Sequence, residues 1–257
     1  MIPRRRGERT QKGNPHLLTR EQHVIPVATL RRFALPDGKI EVHFRDGRIA
    51  KFSVHNQLFC VERLWDQRAE AGYMKEIEDE FQALVNELEA GRSEGLSSDE
   101  HRCATRFWGL WHWRNHLIDS PLEDAQLNGI AGESLTLDKK EILESNGYAF
   151  ADTGKLSARV MTGLQIQLAI DCYEMANGGK RWGVLRSPVL PLIIGDRPGN
   201  LMSIPASPRV LLAADNPDGE LTQFEAFRAN QAALALSRNF AIIGRFHSQS
   251  QEEISRS

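Results

Sequence analysis

The stretch Ile40-Glu41-Val42-His43-Phe44-Arg45-Asp46-Gly47-Arg48-Ile49 decides how the fold is read. Apolar Ile40, Val42 and Phe44 alternate with Glu41 and His43, the two-residue period of a half-buried strand. Asp46-Gly47 is a turn pair that tolerates positive φ, and Ile49 to Val54 reads as the return strand. Upstream, Pro36-Asp37-Gly38 is a turn, and order is expected to begin near Asn14-Pro15.

Downstream of the hairpin the period lengthens. Ile77, Phe81, Leu84, Val85 and Leu88 share a helical face, so a long helix is expected over 66–90, stopped by Gly91. Residues 91–99 read as a loop. A second helix starts near Ser98 or Asp99 and runs to about Ile118. Phe107, Trp108, Leu110, Trp111, Trp113, Leu117 and Ile118 make it apolar almost all round, and Pro121 closes it. Asp138 to Glu141 resembles a capping box opening a short helix that Asn146-Gly147 ends. Leu156, Val160, Leu164 and Leu168 recur every four residues and predict a helix over 155–176.

The last third changes character. Trp182–Arg186, Val189–Ile194 and Val210–Ala213 are short apolar runs interrupted by Pro188, Pro198, Pro205 and Pro208, and read as strands and loops. Thr222 and Glu225 have capping-box spacing for a helix to Ser237, and Phe240 to Phe246 is a final strand candidate. The order implies an α+β fold: an N-terminal β-hairpin, a helical middle, and a mixed strand and helix C-terminal part completing one sheet with the hairpin. The expected organisation is a flexible arm over 1–13, a single domain over 14–247 and a disordered tail over 248–257.

Composition bounds the function class. The chain has 257 residues, 41% of them hydrophobic and 26% charged, with 32 Lys and Arg against 34 Asp and Glu and a net charge of -2. That balance argues against a uniformly basic nucleic-acid coat protein and against an acidic disordered chain. Cys60, Cys103 and Cys172 lie far apart, which argues against a disulfide framework and a Cys-rich zinc site. No secretory signal or membrane-spanning run is visible, so the expected location is the cytoplasm. Charge is nonetheless uneven. Residues 1–32 carry a net of +6, and 62–100 hold twelve acids against four bases. The basic arm is a candidate contact for DNA or RNA phosphates, or a solubilising tail.

Several polar constellations are candidates for chemistry. His112 and His116, i and i+4 on a helix, can share one metal or hydrogen-bond to carbonyls. Glu76 and Glu80 lie one turn apart in an acidic run that can hold a divalent ion or form a solvated face. His23, ahead of Pro26, is a candidate general base or a structural histidine. Arg102, Arg106 and Arg114 need carboxylate or phosphate partners, or water. Asp196 follows an apolar run, as a catalytic, metal-binding or turn residue. P-loop, G-x-G-x-x-G and G-x-S-x-G patterns are absent.

Gln22-His23-Val24-Ile25-Pro26-Val27-Ala28-Thr29-Leu30-Arg31-Arg32-Phe33 resembles the opening of the mostly bacterial family called domain of unknown function 4238. That family begins with a His-His-Tyr-Val-Pro-Gln-like motif followed by Leu-x-x-Phe. His23, Pro26, Leu30 and Phe33 match, whereas Gln22, Val24 and Val27 depart. Glu76 to Phe81 is similar to its acidic helix, Phe107 to Arg114 to a helical segment ending in Arg, and Leu192 to Pro198 to a strand leading into Ser-Asp-Asn-Pro. Ile204 to Arg209 resembles its Pro-Leu-Ser-Pro segment, and Asn230 falls where members often carry Asn. The resemblance covers residues 14–246 and implies a fold group.

Two functional expectations follow. In the first, the chain is a metal-dependent phosphodiester hydrolase of nuclease type. Glu76, Glu80 and Asp196 (alternatively His112 and His116) hold Mg²⁺ or Mn²⁺, and His23, Glu76 and Asp196 are catalytic. Arg106, Arg114 and Asn230 then bind substrate. In the second, it is a non-catalytic module binding nucleic acid or protein, and the same residues are structural.

Overall fold

A computed structural model describes residues 9–92, 95–199 and 202–246. The chain is a mixed α+β fold. Its elements begin with β1 (Glu21–His23), α1 (Val27–Arg32), β2 (Lys39–Phe44), β3 (Ile49–Ser53) and β4 (Cys60–Glu62). Then come α2 (Gln67–Ala71), α3 (Tyr73–Glu89), α4 (Ser98–Asp119), β5 (Ala125–Gln126), α5 (Leu137–Ser145), β6 (Ala151–Asp152), β7 (Lys155–Leu156) and α6 (Ala158–Asn177). The chain closes with β8 (Trp182–Arg186), β9 (Ile193–Gly195), β10 (Ser203–Ser207), β11 (Val210–Ala214), β12 (Gly219–Glu220), α7 (Gln223–Leu236) and β13 (Phe240–Ile243).

The chain, expected as one domain with a tail at each end, divides into two compact units. Unit 1 comprises 1–26, 57–84 and 96–181, and unit 2 comprises 27–56, 85–95 and 182–257. Arg4, Arg5 and Arg6 of the basic arm and the 248–257 tail lie outside the described residues. The described end of the arm is anchored: the Gln11 backbone N–H donates to Glu141 Oε1, and its side-chain amide donates to Asp138 and Glu141 on α5.

Unit 1 is mainly helical. α4 packs along α6, and α2 packs on α5 and α6. Trp65, Met74, Ile77, Phe81, Leu110, Ile166 and Ile170 are fully buried, and Phe81 of α3 stacks on Phe107 of α4 with ring centroids 3.7 Å apart. The expected single helix over 66–90 is two. The chain leaves helical geometry at Gly72 (φ -100, ψ -119), so Gln67–Ala71 forms a separate turn capped by Asp66. The α5 cap is likewise not Asp138. The Thr136 hydroxyl accepts from Lys139 N, while Glu141, read as the far half of a capping box, is buried and receives Gln11.

Unit 2 holds two four-stranded sheets. The hairpin joins the C-terminal strands as expected, in the order β3-β2-β13-β9, all antiparallel, with Ile242 opposite both Val42 and Ile194. Gly47 takes φ +87 in its turn, a conformation cheap only for glycine. α7 covers β9 and β13. The remaining strands do not extend this sheet but form a second one, β10-β11-β8-β12. The run Val189–Ile194 shortens to a strand over Ile193–Gly195, because Pro188 and Pro191 have no N–H for a ladder. Pro205 is tolerated inside β10, which is an edge strand with an irregular register between Pro205 and Ser207. Among the described residues, no helix is long and apolar enough to cross a membrane.

Candidate functional site

His23 ends β1, directly opposite Cys60 of β4. Gln22 beside it is 1% exposed and clamps the pair. Its side-chain oxygen accepts from Leu64 N at 2.7 Å and Trp65 N at 3.2 Å, and its amide donates to Trp65 O at 2.8 Å. Directly opposed residues of an antiparallel pair project to the same face, so the imidazole and the thiol are neighbours. The thiol is no ready nucleophile: burial first, then the charges of Glu21 and Glu70, push Cys60 up to about 12.

The acids and arginines named in the sequence form ion pairs in unit 1. Glu80 is exposed and pairs with Arg106 at 3.3 Å, and Arg106 also reaches Glu174 at 3.6 Å. Arg114 is buried, bonds Glu78, lies 5.0 Å over the Trp65 ring and contacts the Met74 sulfur at 3.5 Å. A guanidinium so enclosed has its charge met within the protein. Glu76 is exposed on α3. His112 and His116 bracket Trp113, at ring-centroid distances of 5.9 Å and 5.0 Å, and His112 also stacks on Trp108 at 4.8 Å. Burial, then the neighbouring His116, lowers the pKa of His112.

Asp196 and Asn230 belong to unit 2, whereas His23, Glu76, Arg106 and Arg114 belong to unit 1. Asp196 follows β9 and is 8% exposed. Its carboxylate accepts from Arg238 N and Asn239 N at 2.7 Å each and from Asn239 Nδ2 at 3.0 Å, tying the start of β13 to the end of β9. Asn230 fastens α7 to the same edge: its Oδ1 accepts from Ile193 N at 3.0 Å and its Nδ2 donates to Pro191 O at 2.9 Å. Among the described residues, no group of three or more His, Cys, Asp or Glu is placed to hold a metal ion.

Two further features have no local signal in the sequence. One is a buried ionic cluster. Glu144 of α5 accepts from Arg63 Nη2 and Arg159 Nη2 at 2.7 Å, from Arg159 Nε at 3.1 Å and from Gln67 N at 3.1 Å. Asp66 and Glu70 lie at the two ends of α2 close by. Burial, partly offset by Arg68, holds Asp66 above the usual carboxylate range. Burial, partly offset by Arg114 and the Trp65 indole, does the same to Glu70. The partners of these groups are far apart in sequence, so no local spacing announces them.

The other feature is the outer face of α6. Leu164, Leu168 and Met175 are exposed, at 40%, 60% and 85%, together with Asp171 and Cys172. At 100° per residue all five fall within one stripe, and Leu164 to Met175 spans about 16 Å. A four-residue repeat advances about 40° per step around a helix, so the run beginning at Leu156 and Val160 turns outward by Leu168. Ile166, Ala169 and Ile170 are buried instead. No family model matches the chain, and no curated protein or solved structure is found to be similar to it.

Proposed function

We propose that the chain is a non-catalytic binding module and that the outer face of α6 receives a basic amphipathic helix from a partner protein. The observation that carries this reading is the stripe of three large apolar side chains left in water on one face of a capped, 20-residue helix. Leucines at helical spacing suit a helix laid along them. Charge supports a basic partner: Asp171 is exposed within the stripe, and the last turn of α6 carries no base to offset the negative end of its dipole. The local bonding of Asp196, Asn230, Arg106 and Arg114 supports a structural role for them over a catalytic one.

The test uses a fluorescein-labelled synthetic helix with leucines at i, i+4 and i+7 and lysines flanking them, titrated into the full chain and followed by anisotropy. The reading expects saturable binding that weakens at least ~10-fold in Leu168→Asp, about 1.4 kcal/mol. Absence of saturable binding, or equal binding by Leu168→Asp, would overturn it. So would cleavage of DNA or RNA with Mg²⁺ or Mn²⁺ that is lost in His23→Ala.

A further inference from the structure

The charge partners inside unit 1 are shared unevenly. Glu144 takes four hydrogen bonds. Asp66, 1% exposed, has an Oδ1 that caps Ala69 N at 3.4 Å and an Oδ2 with no hydrogen bond, its nearest cation being Arg68 Nε at 3.4 Å. Its carboxylate rests on the bare Cα of Gly163 in α6, where an added Cβ would collide with Oδ1. Glu70, one helical turn on, receives the Trp65 indole N–H. Oδ1 is pressed against the apolar backbone of α6 and Oδ2 has only the Arg68 guanidinium at 3.4 Å, so burial costs the anion more than the neutral acid.

The surrounding charges come from every neighbouring element. Asp66 is influenced by Arg68, by the Ala69 N–H and by Glu144 of α5, and itself acts on Tyr73 at the start of α3. Arg63 and Arg159 share Glu144, and Asp171 of α6 acts on Tyr73. Glu70 is influenced by Arg114 of α4 and Glu78 of α3, and itself acts with Glu21 on Cys60. Arg63, Arg159 and Arg114 are committed to Glu144 and Glu78, and Arg68 stands at 3.4 Å.

We propose that Asp66 and Glu70 form a proton-operated latch: holding protons, they let α2 seat on α5 and α6, and on ionising they loosen that seat. The proposal is independent of the partner suggested for α6. Burial is the largest influence on both acids and acts in the same direction on each. The folded state therefore binds these protons more tightly than the unfolded chain. The energetic penalty for ionisation is present at neutral pH, shrinks as pH falls through the folded-state values, and is gone below the unfolded-state values.

Urea unfolding of the full chain across pH tests this, with Asp66→Asn, Glu70→Gln and the double variant beside the parent. Asn keeps an N-cap oxygen, so the α2 cap survives. Carboxyl ¹³C titration of the folded parent supplies a second readout that needs no variant. The expected result is a parent whose folding equilibrium constant gains on the double variant as pH falls from neutral, with Asp66 and Glu70 resonances titrating above those of exposed acids. Parallel stability curves, or resonances that titrate with the exposed acids, would overturn the latch. If Asp66→Asn does not fold, Glu70→Gln and the parent titration decide.

Discussion

Asp196 shows how far a single residue's surroundings can redirect its reading. An acid after an apolar run is a frequent catalytic position, but here both carboxylate oxygens are engaged by the backbone N–H groups of Arg238 and Asn239 and the side-chain amide of Asn239. Asp196→Ala should therefore act on the fold. It leaves two part-buried N–H groups unanswered, with an expected cost of about 1–3 kcal/mol in urea unfolding. Peptide binding to α6 per folded molecule should be unchanged. Gly163 is the second sensitive residue. Gly163→Ala drives a methyl group into the Asp66 carboxylate and Ala69, and should cost about 1–3 kcal/mol by overpacking, read the same way. Neither role is legible from the sequence, because the groups that define it lie 42 residues away for Asp196 and Arg238, and on a different element for Gly163.

At the scale of elements, local chemistry reads well and tertiary exposure does not. The hairpin, α4, α6, α7 and β8 follow from period, turn residues and caps, and both halves of the Thr222–Glu225 box are made. Thr222→Ala should cost about 1 kcal/mol, measured by urea unfolding. The failures are physical ones. Gly72 divides an otherwise continuous helical pattern at a point where the apolar period alone shows no break. Thr136 outcompetes Asp138 as a cap because Asp138 is bonded to Gln11 and His16. In α6, apolar period correctly indicates helix, yet Leu164 and Leu168 face water while Ile166 and Ile170 are buried, because which stripe is covered depends on where α2 and α4 pack. Leu168→Asp should accordingly leave stability within about 0.5 kcal/mol of the parent while weakening peptide binding.

At the scale of the whole molecule, each unit is assembled from three separated stretches of chain. In unit 2, β13 lies between β2 and β9, so the sheet begun by the β2–β3 hairpin is completed by a strand about 190 residues later in the chain. Removing residues from Phe240 onward exposes the inner edges of β2 and β9, and unit 2 should lose its cooperative structure. Trp182 is the single tryptophan of unit 2. Its fluorine resonance in fluorotryptophan-labelled protein should move to the unfolded position in the truncated chain. The α+β class and the joining of both chain ends in one sheet were legible from the element order. The second sheet was not, because Pro205 disguises β10 and β12 has only two residues. The candidate site is the least legible part: residue type and order single out its members, whereas their bonding is set by the packing of distant elements.

The outer face of α6 is the proposed binding surface, and the scattered polar residues are proposed to hold the fold. Methyl resonances of Leu164, Leu168 and Met175, followed while the basic amphipathic peptide is titrated into the full chain, test this most directly. The expected result is saturable shifts at these three methyl-bearing residues, with the buried methyls of Ile166 and Ile170 nearly still. Shifts confined to other residues, or none at saturating peptide, would contradict it.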